Sequence, residues 1–313
     1  MRDEDESWAQ DSLREIALEG VRERRRARRW GIFFKLIVLT YLITISVISL
    51  RPALNLSDSA RTDAHTAVIT IDGAIMADSP ARAERVIAGL ERAFAAPQAK
   101  GILLAINSPG GSPVESSRIY QAIQRLRAEN PEQPVHAVAG DSLASGAYYI
   151  AAAADQIHVD GASVVGSIGV ITRSFNLSDA LERLGIERRI YSAGEQKAGL
   201  DPFTDADPTS VAQLETMLDD IHAQFITAVE QGRGDRLTGD PDELYSGRIW
   251  SGRQAIDNGL ADALGTPHSV ARDVIGAPTS VDYTPQQQWL DRAIERFGAS
   301  VVRAWMQVNP TIR

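Results

Sequence analysis

The 313-residue sequence predicts an α/β fold, with strands and helices alternating around a parallel sheet, preceded by one N-terminal transmembrane helix. Three observations carry this. Residues 31–50 (GIFFKLIVLTYLITISVISL) form an apolar 20-mer whose one charge, Lys35, lies near its start. Between residues 66 and 160, short β-branched or apolar runs recur, separated by stretches with helical periodicity. Two glycine-bearing turns, Asn107–Gly111 and Gly140–Gly146, leave the carboxyl ends of such runs, which is where parallel α/β sheets build their sites.

The apolar 20-mer, at about 1.5 Å per residue, spans about 30 Å, the thickness of the hydrocarbon layer. Arg22, Arg24, Arg25, Arg26, Arg28 and Arg29 precede it, whereas Arg51 and Arg61 follow. The positive-inside rule therefore puts the N-terminus in the cytoplasm and residues 52 onward outside it, in a single-pass protein of the cytoplasmic membrane. A cleaved signal peptide is the competing reading. The run is long for that role, and no A-x-A site follows, only Ser57-x-Ser59. The expected organisation is an arginine-rich cytoplasmic segment (1–30), the anchor (31–50), a polar linker (51–65), the main domain (66–275) and an amphipathic C-terminal tail (276–313).

Residues 52–313 hold 22 Lys plus Arg against 33 Asp plus Glu, a net charge of −11, which argues against nucleic acid as a partner. The sequence has no cysteine, which excludes thiol nucleophiles, disulfides and thiolate-bound zinc.

Ala67–Ile71 reads as the first strand, and Ser79-Pro80 as the cap of a helix with Ile87, Leu90 and Phe94 on one face. Gly101–Ile106 is a second strand, followed by a helix aligning Ile119, Ile123 and Leu126; Val135–Ala139 and Gln156–Val159 are the third and fourth strands. The run Ala151–Ala154 reads as tight helix packing. After residue 160 the pattern loosens. Asn176–Leu184 resembles a short helix, and Thr209–Gly232 a long one with Leu214, Met217, Ile221 and Phe225 on one face. Gln286–Val308, with Trp289, Ile294, Val301 and Trp305, is a last amphipathic stretch.

Two serines compete as nucleophile. Ser142, in Gly140-Asp-Ser-Leu143, matches the GDSL esterase motif and needs a histidine; Asp155-x-x-His158 and Asp219-x-x-His222 have the wanted spacing, but neither lies on a late loop. No His-x-x-x-His pattern or acidic cluster supports a metal site, and no cofactor is called for. Ser145 lies in Ala144-Ser-Gly146, where the Gly146 N–H can face a reacting carbonyl at a helix start. The Pro109-Gly110-Gly111 turn offers a second donor, completing an oxyanion hole. The base for Ser145 would be a lysine, and beyond Lys35 and Lys100 the one lysine is Lys197; arginine cannot serve. A lysine base must be largely neutral, which means lowering its pKa from roughly 10.4 to about 7 or 8. Its amine needs orienting, and the hydroxyl of Ser167, in Val165-Gly-Ser-Ile-Gly169, is the candidate.

Taken in order, Asn107-Ser-Pro-Gly-Gly-Ser112, Ala144-Ser-Gly-Ala-Tyr-Tyr149, Val165-Gly-Ser-Ile-Gly169, Gly194-x-x-Lys197 with Pro202-Phe203, and Gly247-Arg-Ile-Trp-Ser-Gly-Arg253 with Gly259-Leu-x-Asp262 resemble the signal peptide peptidase A family in its short, single-domain form. The resemblance implies a ClpP/crotonase-like fold of repeated β-β-α/β-α units, and a membrane-anchored serine endopeptidase that degrades remnant signal peptides and other extended apolar peptides. It implies Ser145 as nucleophile, Lys197 as base, Ser167 as the lysine-orienting hydroxyl, Gly111 and Gly146 as the oxyanion hole, and Gly110 as substrate-binding backbone. It also implies a homo-oligomeric ring in which neighbouring subunits share the dyad. Three readings stand beside it: a GDSL-type esterase using Ser142, a crotonase-like acyl-CoA enzyme, and a catalytically silent crotonase-like scaffold.

Overall fold

The computed structural model describes residues 29–46, 63–194 and 196–285. The expected N-terminal segment, most of the linker and the tail beyond residue 285 lie outside them. Among the described residues one helix, α1 (Arg29–Ser46), is long and apolar enough to cross a membrane. The Thr44 hydroxyl donates to the Thr40 carbonyl at 2.8 Å, a local bond that suits a polar side chain to lipid.

The main body is one eight-stranded sheet. Its elements are β1 (His65–Asp72), α2 (Ala83–Phe94), β2 (Ala99–Ser108), α3 (Pro113–Glu129), β3 (Val135–Ala144), α4 (Gly146–Ala151), β4 (Gln156–Val159), β5 (Val164–Gly166), α5 (Ser178–Arg183), α6 (Pro208–Arg233), α7 (Pro241–Leu244), β6 (Ile249–Ser251), α8 (Gly252–Asp257), β7 (Ala263–Leu264), α9 (Pro267–Ser269) and β8 (Ser280–Asp282). The path runs β6-β5-β3-β2-β1-β8, with β4 beside β3 and β7 beside β4. All pairs are parallel except β5 with β6. Because β8 pairs with β1, the sheet continues past residue 275, where the sequence suggested a tail.

The central strands are apolar on successive residues because both faces are covered. Ile69, Ile71, Ile102, Leu104 and Ile106 pack under α2, α3 and α4, while Leu103 and Val138 on the other face meet Val270 and Ala271. Ala151–Ala154 are fully buried as expected, and Gly232 of α6 lies against the Ala152 carbonyl. Ile119, Ile123 and Leu126 of α3 are buried together.

Three local expectations change. Ser79-Pro80 does not cap α2. Ser79 closes its own turn through Met76, and the Ala83 N–H instead donates to Glu115 Oε2 at 2.6 Å, so α3 supplies the missing acceptor. The apolar face of α6 is buried from Phe225 onward, with Ala228 and Val229, whereas Met217 is exposed.

The third change matters most for the site. β3 does not stop at Ala139 but runs to Ala144 through a bulge. Ile106 pairs with Ala139 and Ser108 with Leu143, so four steps on β3 face two on β2. The Asn107 side chain fills the gap, accepting from the Ser142 N–H at 3.2 Å and donating to Asp72 at 3.2 Å. Beyond the bulge β3 exchanges β4 for β5 as its neighbour.

Candidate active site

Ser145 occupies the one-residue link between β3 and α4, with φ 53° and ψ −126°. A side-chain-bearing residue enters that region at a cost of about 1–3 kcal/mol, and only when its surroundings hold it there. Here the Ser145 N–H donates to the Gly166 carbonyl at 2.7 Å, and α4 begins at once with the Tyr149 N–H donating to the Ser145 carbonyl at 3.0 Å. The fully buried Tyr148, whose hydroxyl donates to the Leu260 carbonyl at 2.8 Å, pins the helix from below.

Ser167 repeats the device. Its φ is also 53°, and among the described residues Ser145 and Ser167 are the two non-glycine residues at positive φ. The Ser167 N–H donates to the Arg248 carbonyl at 2.8 Å, and Trp250 of β6 packs on Gly166 just before it. Arg248 covers the Trp250 ring at 4.5 Å and pairs with Glu243 at 3.1 Å. The placement of Trp250 and Arg248 comes from the antiparallel β5–β6 pairing, which their motif alone does not show.

The glycine turn is clamped from β1's extension. The Ile75 N–H donates to Gly110 O at 3.0 Å, and the Ser112 N–H donates to Ile75 O at 2.8 Å. Gly110 has φ 94°, and a Cβ there would stand 2.6 Å from the Gly146 nitrogen. Gly146 must be bare for a different reason: a Cβ would run into the Ser116 hydroxyl, and its site is 3.3 Å from the Gly111 nitrogen. Two backbone amides thus converge beside Ser145. Among the described residues neither the Gly111 nor the Gly146 N–H is spent on an acceptor.

These groups face one cavity of about 440 Å³, lined by Gly111, Ser145, Gly146 and Ser167 together with apolar walls from Tyr149, Val170, Ile171, Ile221 and Phe225. A volume of that order suits a small-molecule-sized or peptide side-chain ligand. Gly110 stands just behind the wall.

Lys197 is not among the lining residues. It is exposed, in a turn where its N–H donates to the Gly194 carbonyl at 3.3 Å. The chain alone therefore brings together Ser145, the Gly111 and Gly146 amides and Ser167, but does not bring Lys197 to them.

Ser142 takes no part in the cavity. It is a strand residue paired with Val164. The histidines the esterase reading needs are used elsewhere. His158 lies 3.4 Å from His136 in a buried pair, and His222 Nε2 meets the Ile168 carbonyl at 3.1 Å. Burial holds both imidazoles of the pair below their ordinary range, and His158 adds to this for His136. No metal-binding cluster of His, Cys, Asp or Glu occurs among the described residues.

Residues 127–274 match peptidase family S49. A Brucella melitensis protein named Na(+)/H(+) antiporter NhaA is 39% identical over 237 residues, which are 74% of this chain and 32% of that protein. A putative signal peptide peptidase SppA from Enterococcus faecium is 34% identical over 166 residues, 53% of this chain and 47% of that protein. A putative protease from Synechocystis is 35% identical over 165 residues, 53% of this chain and 58% of that protein. The chain thus spans about a third to three fifths of the length of these relatives. The S49 match takes in Ser145, Ser167 and Lys197, and it agrees with the signal peptide peptidase and protease names of these relatives in supporting the signal peptide peptidase A family of serine peptidases.

Proposed function

We propose that this protein is a membrane-anchored serine endopeptidase with a Ser145–Lys197 dyad, acting on extended apolar peptides, remnant signal peptides among them, at the outer face of the cytoplasmic membrane. The observation that carries the reading is the pair of strained serines, Ser145 and Ser167, facing one apolar cavity with two unspent glycine amides. Strain of this kind is kept where geometry serves a reaction.

In the proposed mechanism Ser145 Oγ attacks the scissile carbonyl carbon while the neutral Lys197 amine takes its proton. The carbonyl oxygen, now negative, is held by the Gly111 and Gly146 N–H groups, an interaction worth about 10²–10³ in rate per donor. The C–N bond then breaks as the lysine ammonium protonates the leaving amine. Water, deprotonated by the same lysine, releases the acyl group. Ser167 orients the amine, and the peptide lies as a strand beside Gly110–Gly111.

Because Lys197 is exposed within one chain, the dyad is completed between subunits of a homo-oligomeric ring. A neighbour covering Lys197 also supplies the desolvation that makes a lysine neutral. Helix α1 supports a single-pass anchor, with the arginine run on the cytoplasmic side. An antiporter reading, taken from the Brucella name, finds one helix of spanning length among the described residues and no further support.

The test mixes two inactive proteins, Ser145→Ala and Lys197→Ala, under conditions of demonstrated subunit exchange. Recovered peptidase activity is expected, since some neighbouring pairs then own both groups. Dead mixtures would refute the shared dyad, and full activity in either single variant would refute the mechanism.

A further inference from the structure

The cavity around Ser145 has one electrostatic feature that cleavage of a neutral amide bond does not use. The described residues that line it are apolar or uncharged except for Arg173. Among the described residues nine arginines are ion-paired with carboxylates, whereas Arg173, which is exposed, is one of several that are not, and the one of these that lines the cavity. It ends a stretch of cavity wall that begins at Ser167 and includes Val170 and Ile171. An unpaired cation is therefore held on the same wall as a proposed catalytic hydroxyl and next to apolar surface.

We propose that Arg173 reads a carboxylate on the bound peptide, so that preferred substrates are apolar peptides carrying a carboxylate close to the scissile bond, either their own C-terminal α-carboxylate or an Asp or Glu side chain. The proposal rests on the peptidase reading of Ser145. A guanidinium matches a carboxylate plane with two parallel N–H donors, and such charge-assisted bonds are roughly twice as strong as neutral ones. The body around it is acidic, with residues 52–313 at a net −11, so its overall field repels anionic peptides. That field is screened over about 8–10 Å, whereas a cation in contact acts inside that distance. The apolar walls of Tyr149, Ile221 and Phe225 would take the side chains, leaving Arg173 to select among apolar peptides by charge.

The test uses one apolar peptide as free acid and as C-terminal amide, and a second pair of amides differing by Glu or Gln near the cleaved bond. kcat/KM is measured for wild type, Arg173→Gln and Arg173→Lys, and affinity for the same peptides is measured on Ser145→Ala. Wild type should prefer the carboxylate member of at least one pair by about tenfold, less at high salt. The pair that shows the ratio identifies the source of the carboxylate. The ratio should collapse towards one in Arg173→Gln and survive in part in Arg173→Lys. Equal rates within both pairs in wild type, or an unchanged ratio in Arg173→Gln, would overturn the proposal, while cleavage lost in Ser145→Ala would leave the peptidase reading standing. If no peptide is cleaved, the peptidase reading fails, and the affinity ratios on Ser145→Ala, with and without Arg173→Gln, still decide the role of Arg173.

Discussion

Residues 135–169 and residues 170–207 adjoin in the chain and obey opposite physical rules. In the first, Ala144, Ala147, Tyr148, Val165 and Ile168 are buried, and the two serines in strained conformations are held by hydrogen bonds and packing on both sides. In the second, Ile171, Phe175, Leu184 and Tyr191 are 71%, 80%, 71% and 91% exposed. Among its described residues the one helix, α5, has six residues and buries none of them. A helix that short does not sustain itself, and large apolar side chains in water forgo about 1.5–3 kcal/mol each. Ser145, Ser167 and the two glycine amides meet within one chain. The arm that carries Lys197 has the composition of an interface, and a second copy of the chain is its proposed occupant.

The largest expected effect lies in the first region. Ser145→Ala should reduce peptide hydrolysis on the order of 10⁴-fold or more, while Ser142→Ala, a strand residue outside the cavity, stays within a few fold of wild type. Steady-state kinetics with one apolar peptide decides this, and the reverse ranking would restore the esterase reading. Gly146→Ala comes next. The new methyl group meets Ser116, shifts an oxyanion donor and should cost about 10²–10³ in kcat with the fold retained by circular dichroism. Combining it with Ser116→Gly makes room and should recover part of the loss. No recovery would show that the Gly146 amide is set by something other than this contact.

The arm should respond in the opposite way. Phe175→Ser with Tyr191→Ser removes exposed apolar surface, so the unfolding midpoint of the body should barely move, while sedimentation shows a smaller assembly and activity falls at least tenfold. An unchanged mass would sever the arm from assembly.

The smallest effect concerns the buried histidine pair in the body. Burial keeps His136 and His158 harder to protonate than in the unfolded chain; His158 also disfavours the charge on His136, while Asp155 and Asp262 pull the other way without prevailing. The unfolded state therefore binds more protons below its histidine pKa, roughly 6.5, and stability should be flat above that pH and fall as pH drops through it towards 5. Asp262 adds little in this window. Burial pushes its carboxyl up, but the bidentate Arg233 (2.8 and 3.0 Å) and the Ile157 N–H outweigh burial and leave it below the usual range. Its contribution is lost only as pH falls below the ordinary carboxylate range. Urea midpoints at pH 7.5 and 5.0 test the sign, and His136→Gln should shrink the difference. A rise in stability at pH 5 would contradict the pair's burial.

Much of this was legible in local pattern. β1 to β4, the core face of α3 and the alanine run follow from residue chemistry that acts within a few positions. Small neighbours and the scarcity of lysine, both visible in the chain itself, favour Ser145 over Ser142 as the candidate. Less legible were the features that depend on distant partners. The cap of α2 comes from Glu115, 32 residues on, and the exposed half of α6 has the same periodicity as its buried half.

Local pattern and composition alone decided which chemistries were possible: no thiol, three lysines, glycines at two strand ends, and an apolar 20-mer near the N-terminus. Tertiary structure alone decided their geometry. The GDSL stretch becomes a strand bulge because Asn107, on the neighbouring strand, occupies the gap, and register between strands is not written in either strand by itself. Ser145 and Ser167 share a strained conformation because β3, β5 and β6 pair around them, and Lys197 stays outside their cavity because the segment that carries it finds little within its own chain to bury against.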